Sequence, residues 1–257
     1  MKIILLQTDI IWENKFKNYE HLEELMSAVP SGTDIMILPE MFNTGFSMNP
    51  ADLSEPPLSD TMEWMRSIAK KYSSGVCGSY IVRENNCFYN RWVFVSPVNE
   101  IWSYDKRHLF GVSGEDKLFT RGTKRIVFKF RNLRICPNIC YDLRFPVWSR
   151  IRNDYDLLIN TANWPESRRD VWITLLKARA LENQCYVAGV NRIGVDGTGI
   201  KYCGDSMIIG PKGEIIASGE RDLECVVNGD ISLQELSDFR EKFPVLNDAD
   251  DFTILTT

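Results

Sequence analysis

Apolar residues gather into short unbroken runs along this chain, and between the runs lie stretches whose apolar positions recur at helical spacing. Runs bounded by turn residues read as buried strands. They predict strands at residues 2–7, 34–39, 76–83, 88–96, 125–130 and 133–139, and again at 157–161, 185–191, 206–209, 214–217 and 224–230. Another run, 101–105, closes on Lys106. The helical stretches predict helices over 16–29, 61–71, 146–152, 168–183 and 233–239. In the first of them Phe16, Tyr19, Leu22, Leu25 and Met26 share a face, leaving Lys15, Lys17, Glu20 and Glu24 to water. Turns are signalled at Pro30-Ser31-Gly32, Asp196-Gly197-Thr198-Gly199 and Pro211-Lys212-Gly213.

Strands alternating with helices place the chain in the α/β class. The hairpin-like runs within 76–96 and 206–230 predict mixed rather than purely parallel sheets. No repeat, low-complexity segment or linker-like break divides the sequence, so a single domain over 1–257 is expected. The longest irregular stretches, 41–60 and 107–124, have the length of lids or binding loops.

Composition removes several function classes. A net charge of −5 and the lack of a long Lys/Arg block argue against nucleic-acid binding. The densest basic cluster, 144–152, is interleaved with Phe145, Val147 and Trp148, and reads as a helix lining a site. The opening MKIILLQTDI reaches Asp9 too soon for a membrane span or a signal peptide, and reads as a buried first strand. Seven cysteines, an odd number mostly inside apolar runs, point to reduced thiols in the cytoplasm.

Three strand ends carry groups of complementary chemistry: Glu40 after 35–39, Lys106 after 101–105, and Cys140 after 134–139. A cysteine nucleophile needs a group to take its proton. His21 lies in an amphipathic helix, so His108 is the histidine candidate. Glu40 is the other, because a carboxylate behind an apolar strand is partly desolvated and a better base. Lys106 would favour the thiolate and stabilise an oxyanion. Cys136 and Cys140 lack a second pair for zinc, and Asp196-Gly197-Thr198-Gly199 lacks a nucleotide-loop spacing; it fits a hairpin turn.

The blocks Leu38-Pro39-Glu40-Met41-Phe42, Asp105-Lys106-Arg107-His108-Leu109-Phe110 and Cys140-Tyr141-Asp142-Leu143-Arg144-Phe145-Pro146 occur in that order. They resemble the three signature blocks of the nitrilase (carbon–nitrogen hydrolase) superfamily. The resemblance continues through Ala162-Asn163-Trp164-Pro165, residues 178–183, Asn191-Arg192, Gly204-Asp205-Ser206 and Pro211-Lys212-Gly213. It implies a four-layer α-β-β-α sandwich, commonly paired as a homodimer. It also implies Glu40 as general base, Lys106 as oxyanion stabiliser and Cys140 as nucleophile, with the backbone N–H of Tyr141 as a second oxyanion donor. An assisting glutamate best matches Glu115, with Asp116 as the alternative. Neither a metal nor an organic cofactor is implied.

The run from Cys140 to Pro146, followed by Asn163-Trp164-Pro165, resembles the omega-amidase branch. That implies hydrolysis of the terminal amide of small dicarboxylic acid monoamides such as 2-oxoglutaramate and 2-oxosuccinamate. Arg144, four residues beyond the nucleophile, would pair with the far carboxylate, and Phe42, Phe110 and Trp164 would wall the carbon chain. The structural alternative for Arg144 is a salt bridge to Asp142 or Glu182. Rival activities are a nitrilase, another acyl transfer through the same thioester, and a non-catalytic binding protein on the same fold.

Overall fold

The computed structural model, which describes residues 1–255, contains two six-stranded mixed sheets. The first comprises β1 (Lys2–Gln7), β2 (Ile35–Ile37), β3 (Gly75–Glu84), β4 (Cys87–Val95) and β5 (Ile101–Asp105), side by side in that order. The second contains β6 (Phe128–Phe130), β7 (Leu133–Ile139), β8 (Leu157–Ala162), β9 (Tyr186–Asn191), β12 (Met207–Ile209) and β13 (Ile215–Ser218), also in spatial sequence. The final strand, β14 (Cys225–Asp230), returns to the first sheet and pairs antiparallel with β1. Each sheet has three parallel strands at its centre, β1–β2–β3 or β7–β8–β9, with antiparallel strands outside them. A separate ribbon of β10 (Ile193–Val195) and β11 (Lys201–Cys203) brackets the 196–199 turn.

Alternation along the strands builds the layers. Ile3, Leu5, Ile35 and Ile37 of one sheet pack with Ile135, Ile139, Leu157 and Ile159 of the other, forming the core between the sheets. Their neighbours Ile4, Leu6, Met36 and Val76 face outward onto α1 (Lys15–Met26) and α3 (Asp60–Tyr72), through Leu22, Met26, Met65 and Ile68. On the far side Cys136, Leu158 and Val187 meet Trp172, Leu176 and Ala180 of α6 (Arg169–Asn183). The result is the expected α-β-β-α sandwich. Because both faces of β1 are apolar, hydrophobicity alone leaves its register open. Polar groups at its ends close that gap. Lys2 N donates to Asp34 at 2.8 Å, and Gln7 donates to the carbonyls of Glu220 and Leu223 at 2.6 and 2.8 Å.

The helix expected over 146–152 is a single turn, α5 (Pro146–Ser149), following the one-turn helices α2 (Pro50–Leu53) and α4 (Glu115–Leu118). Arg150 turns extended, its side chain bonds the Glu182 carbonyl, and Ile151 N donates to Asn183 Oδ1 at 3.0 Å. Those bonds to the end of α6 take the chain out of helical geometry. Near the C-terminus, α7 (Leu233–Lys242) runs past the expected end of its helix. The expected strand over 125–130 shortens to β6, while β10 and β11 form where only a turn was read. All seven cysteines are free thiols. Among the described residues no helix is long and apolar enough to cross a membrane, and no group of three or more His, Cys, Asp or Glu is placed to hold a metal ion.

Candidate active site

The three strand-end residues converge. Glu40 lies just past β2, Lys106 directly follows β5, and Cys140 directly follows β7. Parallel strands leave their carboxyl ends on one rim, where α/β folds place ligand chemistry. Lys106 Nζ is 2.8 Å from Glu40 Oε1 and 3.1 and 3.0 Å from the two oxygens of Glu115. All three groups are fully buried at their side chains. Asn90, on β4, donates to both carboxylates, at 2.8 Å to Glu40 and 3.3 Å to Glu115. Asn163 N donates to Glu40 Oε2 at 2.9 Å, and Phe110 N to Glu115 Oε2 at 2.6 Å.

Burial would by itself lower the Lys106 ammonium, yet Glu115, Glu40 and Cys140 raise it, and the charges win. Burial raises the Glu115 carboxyl, Lys106 opposes this, and Glu40 adds to it; the net direction is upward. Cys140 keeps some exposure as a residue, but its thiol is enclosed. Burial first, then Glu40, hold that thiol well above its ordinary range, against the pull of Lys106. Lys106 does favour the thiolate, but burial and Glu40 outweigh it. A thiol raised in this way needs a base during attack.

Cys140 opens a 3-10 turn (Cys140–Arg144) with its own backbone in the left-handed region, φ 43°. A side chain there is strained, and the surroundings must hold it. Asp142, fully buried, does so: Oδ2 accepts from Ile139 N at 3.0 Å and from Tyr104 O–H at 2.7 Å. Oδ1 accepts from His108 N at 2.9 Å and lies 2.8 Å from His108 Nδ1. The imidazole also stacks on Phe145, ring centres 3.9 Å apart. His108 is thus committed behind the turn and does not line the cavity that holds Cys140. That removes the geometric basis for a Cys140–His108 dyad.

A cavity of about 200 Å³ lies over Cys140 and Lys106. Phe46 and Met48 enter from the 41–60 loop, Phe110 and Ser113 from the 107–124 loop, and Thr198, Ile200 and Tyr202 from the β10–β11 ribbon. Arg144, Tyr141, Trp164 and Phe110 line it. Phe42 does not. Its side chain is fully buried in the outward core, against Trp64 and Tyr80, because the chain turns back onto β3 through Phe42 N to Ser79 O at 3.1 Å. Phe46 takes the wall position assigned to Phe42. Asp116 is exposed, so Glu115 is the acid that reaches Lys106. Of the basic cluster 144–152, Arg144 alone reaches this cavity.

Asn90 gave no local signal, being a polar residue inside a strand of mostly apolar and aromatic neighbours. Asn163 stood inside a quoted block without a role, although its N–H bonds Glu40 and its side chain donates to the Glu40 carbonyl at 2.5 Å. Arg168 and Asp196, which also line the cavity, were not singled out as site residues.

Comparison with known proteins gives the family. The carbon–nitrogen hydrolase family model matches residues 2–241. The omega-amidase YafV of Escherichia coli K12 is 42% identical over 254 residues, covering 99% of this chain and 98% of that protein. The 2-oxoglutaramate amidase of Bacillus subtilis 168 is 34% identical, covering 96% of each. XC1258 of Xanthomonas campestris, a CN-hydrolase superfamily protein whose crystal structure holds an arsenic adduct in its active site, superposes with a TM-score of 0.96 at 37% identity, covering 99% of this chain and 98% of that one. Nit3 of Saccharomyces cerevisiae shares the fold, with a TM-score of 0.85 at 21% identity, covering 95% of this chain and 94% of that one. The chain belongs to the carbon–nitrogen hydrolase family, in its omega-amidase-like branch, and is an amide-hydrolysing enzyme.

Proposed function

We propose that this enzyme hydrolyses the terminal amide of short dicarboxylic acid monoamides of the 2-oxoglutaramate and 2-oxosuccinamate type through a thioester on Cys140. The observation that carries the substrate reading is the Arg144 guanidinium: it lines the cavity of Cys140 and, among the described residues, has no ion-pair partner. The two structural alternatives are already engaged elsewhere, Asp142 with His108 and Glu182 with Arg179. The relatives named for omega-amidase and 2-oxoglutaramate amidase activity support the same class.

In the first half-reaction Glu40 takes the Cys140 proton as sulfur attacks the amide carbonyl. Lys106 and the Tyr141 N–H, a first-turn donor without a helical partner, receive the oxyanion. Glu40 returns the proton to the departing nitrogen, ammonia leaves and a thioester remains. Water then adds to the thioester, giving its proton to Glu40. The tetrahedral intermediate collapses to the acid and the sulfur is reprotonated. Glu115 holds Lys106 in place and balances its charge throughout. Arg144 takes the far carboxylate, and Phe110 and Trp164 flank the carbon chain.

A single catalytic domain, a homodimer and a cytoplasmic site of action belong to the same proposal; the free thiols suit a reducing compartment. Ammonia release from 2-oxoglutaramate, 2-oxosuccinamate, glutamine and a matching nitrile, with Cys140→Ala as control, tests it. Turnover of the nitrile alone would replace the amidase reading with a nitrilase. Neither ammonia nor an acyl adduct on Cys140 would leave a binding protein.

A further inference from the structure

The cavity holds a second guanidinium besides Arg144. Arg168 ends a short 3-10 turn (Glu166–Arg168) ahead of α6, and its charged head lies over Phe110, 5.3 Å from the ring centre. Arg144 lies over Trp164 at 5.1 Å. Trp164 joins the two, because its indole N–H donates to the Arg168 carbonyl at 2.8 Å. Both planar groups are therefore held against aromatic faces in the same cavity, and among the described residues neither guanidinium has a hydrogen-bond or ion-pair partner. The contrast with the next residue is direct: Arg169 donates twice to Asp205, at 2.7 and 2.8 Å.

No acid in the site bonds to either guanidinium. Asp196, the carboxylate in the cavity wall, accepts from Thr198 N, Thr198 Oγ1 and Ile200 N on Oδ1 and from Tyr202 O–H on Oδ2. Glu40 and Glu115 are taken by Lys106, Asn90 and the backbone N–H groups of Asn163 and Phe110. Two cations lining one small cavity without a bonded carboxylate repel each other, and an anion between them offsets that cost. Guanidiniums held over aromatic rings are also pre-organised, so less rotamer entropy is lost when a carboxylate arrives.

We infer that Arg168 is a second substrate-binding residue, which closes with Arg144 on the carboxylate of the monoamide and sets the preference for anionic over neutral amides. This rests on the monoamide reading of the site. It assigns selectivity to a pair of arginines from two different segments, the nucleophile turn and the lead-in to α6.

The test compares 2-oxoglutaramate with a neutral amide of similar length in wild type, Arg168→Gln, Arg168→Lys and Arg144→Gln. Arg168→Gln should raise KM for the anionic amide by about 10- to 100-fold, the scale of lost charge-assisted bonds, with kcat and the neutral amide little changed. Arg168→Lys should recover part of the loss. An equal effect on both amides, or a fall in kcat alone, would mean that Arg168 only props the Phe110 loop, and would overturn the inference. Calorimetry of glutarate binding to Cys140→Ala, with and without Arg168→Gln, separates this outcome from failure of the substrate reading. Should wild type prove inactive on 2-oxoglutaramate, unchanged glutarate affinity sinks the Arg168 role and weakened affinity upholds it.

Discussion

Tyr104 donates its hydroxyl hydrogen to Asp142 Oδ2 at 2.7 Å, and the same hydroxyl oxygen accepts from Trp148 Nε1 at 2.9 Å and Arg107 N at 3.1 Å. Burial, then the charge of Asp142, keep that hydroxyl protonated well beyond its ordinary range. One side chain thereby ties the residue after Lys106 to the turn that opens with Cys140. Tyr104→Phe should cost about 1–3 kcal/mol, since it strands buried donors as well as removing a bond. Misplacement of the nucleophile should lower kcat more than it changes KM. Urea unfolding and steady-state kinetics together check this; unaltered stability and kcat would remove Tyr104 from the positioning role.

Lys106 is the one cation between two buried carboxylates, so its loss leaves both without a counter-charge. Breaking such a cluster on one side costs about 3–5 kcal/mol. Lys106→Met should be destabilised on that scale and lose about 100-fold or more in kcat. Adding Glu115→Gln should restore much of the stability without restoring activity. If the double variant is no more stable than Lys106→Met, charge imbalance is not the cause.

Because burial and Glu40 raise the Cys140 thiol, it should carry its proton at neutral pH. The ultraviolet absorbance difference between wild type and Cys140→Ala should therefore show no thiolate up to pH 9, the ordinary thiol value. A thiolate step near neutrality would contradict the resting thiol and favour a preformed ion pair with Lys106.

Phe42 and Phe46 should behave oppositely. Phe42 lies wholly in the core, so Phe42→Ala should cost about 3–5 kcal/mol. With Phe42→Leu, a milder change, KM should stay near wild type. Phe46→Ala, at the cavity wall, should shift KM with a smaller effect on stability. A KM change confined to Phe42→Leu would reverse the assignment.

Asp156 joins the start of β8 to β7 and α7, accepting from Arg134 Nη2 at 2.6 Å and Arg240 Nη1 at 3.1 Å. Burial alone would raise its carboxyl, but the Arg134 bonds and the two guanidinium charges bring it below 3.8. A lowered carboxyl stabilises the fold fully above its unfolded value and loses that contribution as pH falls through the folded one. Wild type should accordingly lose stability as pH drops below about 4, with Asp156→Asn already weaker by about 1–2 kcal/mol at neutral pH. Denaturant midpoints measured from pH 7 down to pH 3 decide it; parallel curves would show that Asp156 contributes nothing to the acid limb.

Local sequence determined the strands and the residues at their ends. The run Lys2–Gln7 and the run Leu133–Ile139 form strands with the expected bounds, because an apolar stretch between polar breaks has little alternative. Glu40, Lys106 and Cys140 were legible for the same reason: each terminates such a run, and the blocks around them keep a recognisable order. Side-chain direction beyond a strand end was not legible. Phe42 and Phe46 belong to the same loop, and only the return of the chain onto β3 sends one into the core and leaves the other at the cavity.

Residues distant in sequence depended wholly on the tertiary structure. Asn90 lies inside β4, and nothing in its neighbours shows that the antiparallel sheet will carry its amide to Glu40 and Glu115. The meeting of Arg144 and Arg168 in one cavity and the closing of that cavity by the β10–β11 ribbon likewise arise from packing between segments. Hydrophobic pattern and local motifs act over a few residues and fix which strand ends carry the chemistry. Distances, burial and the contest between Lys106 and two carboxylates arise only when the sheets pack, and these determined the direction in which the Cys140 thiol is shifted, the commitment of His108 and the charged groups that line the cavity.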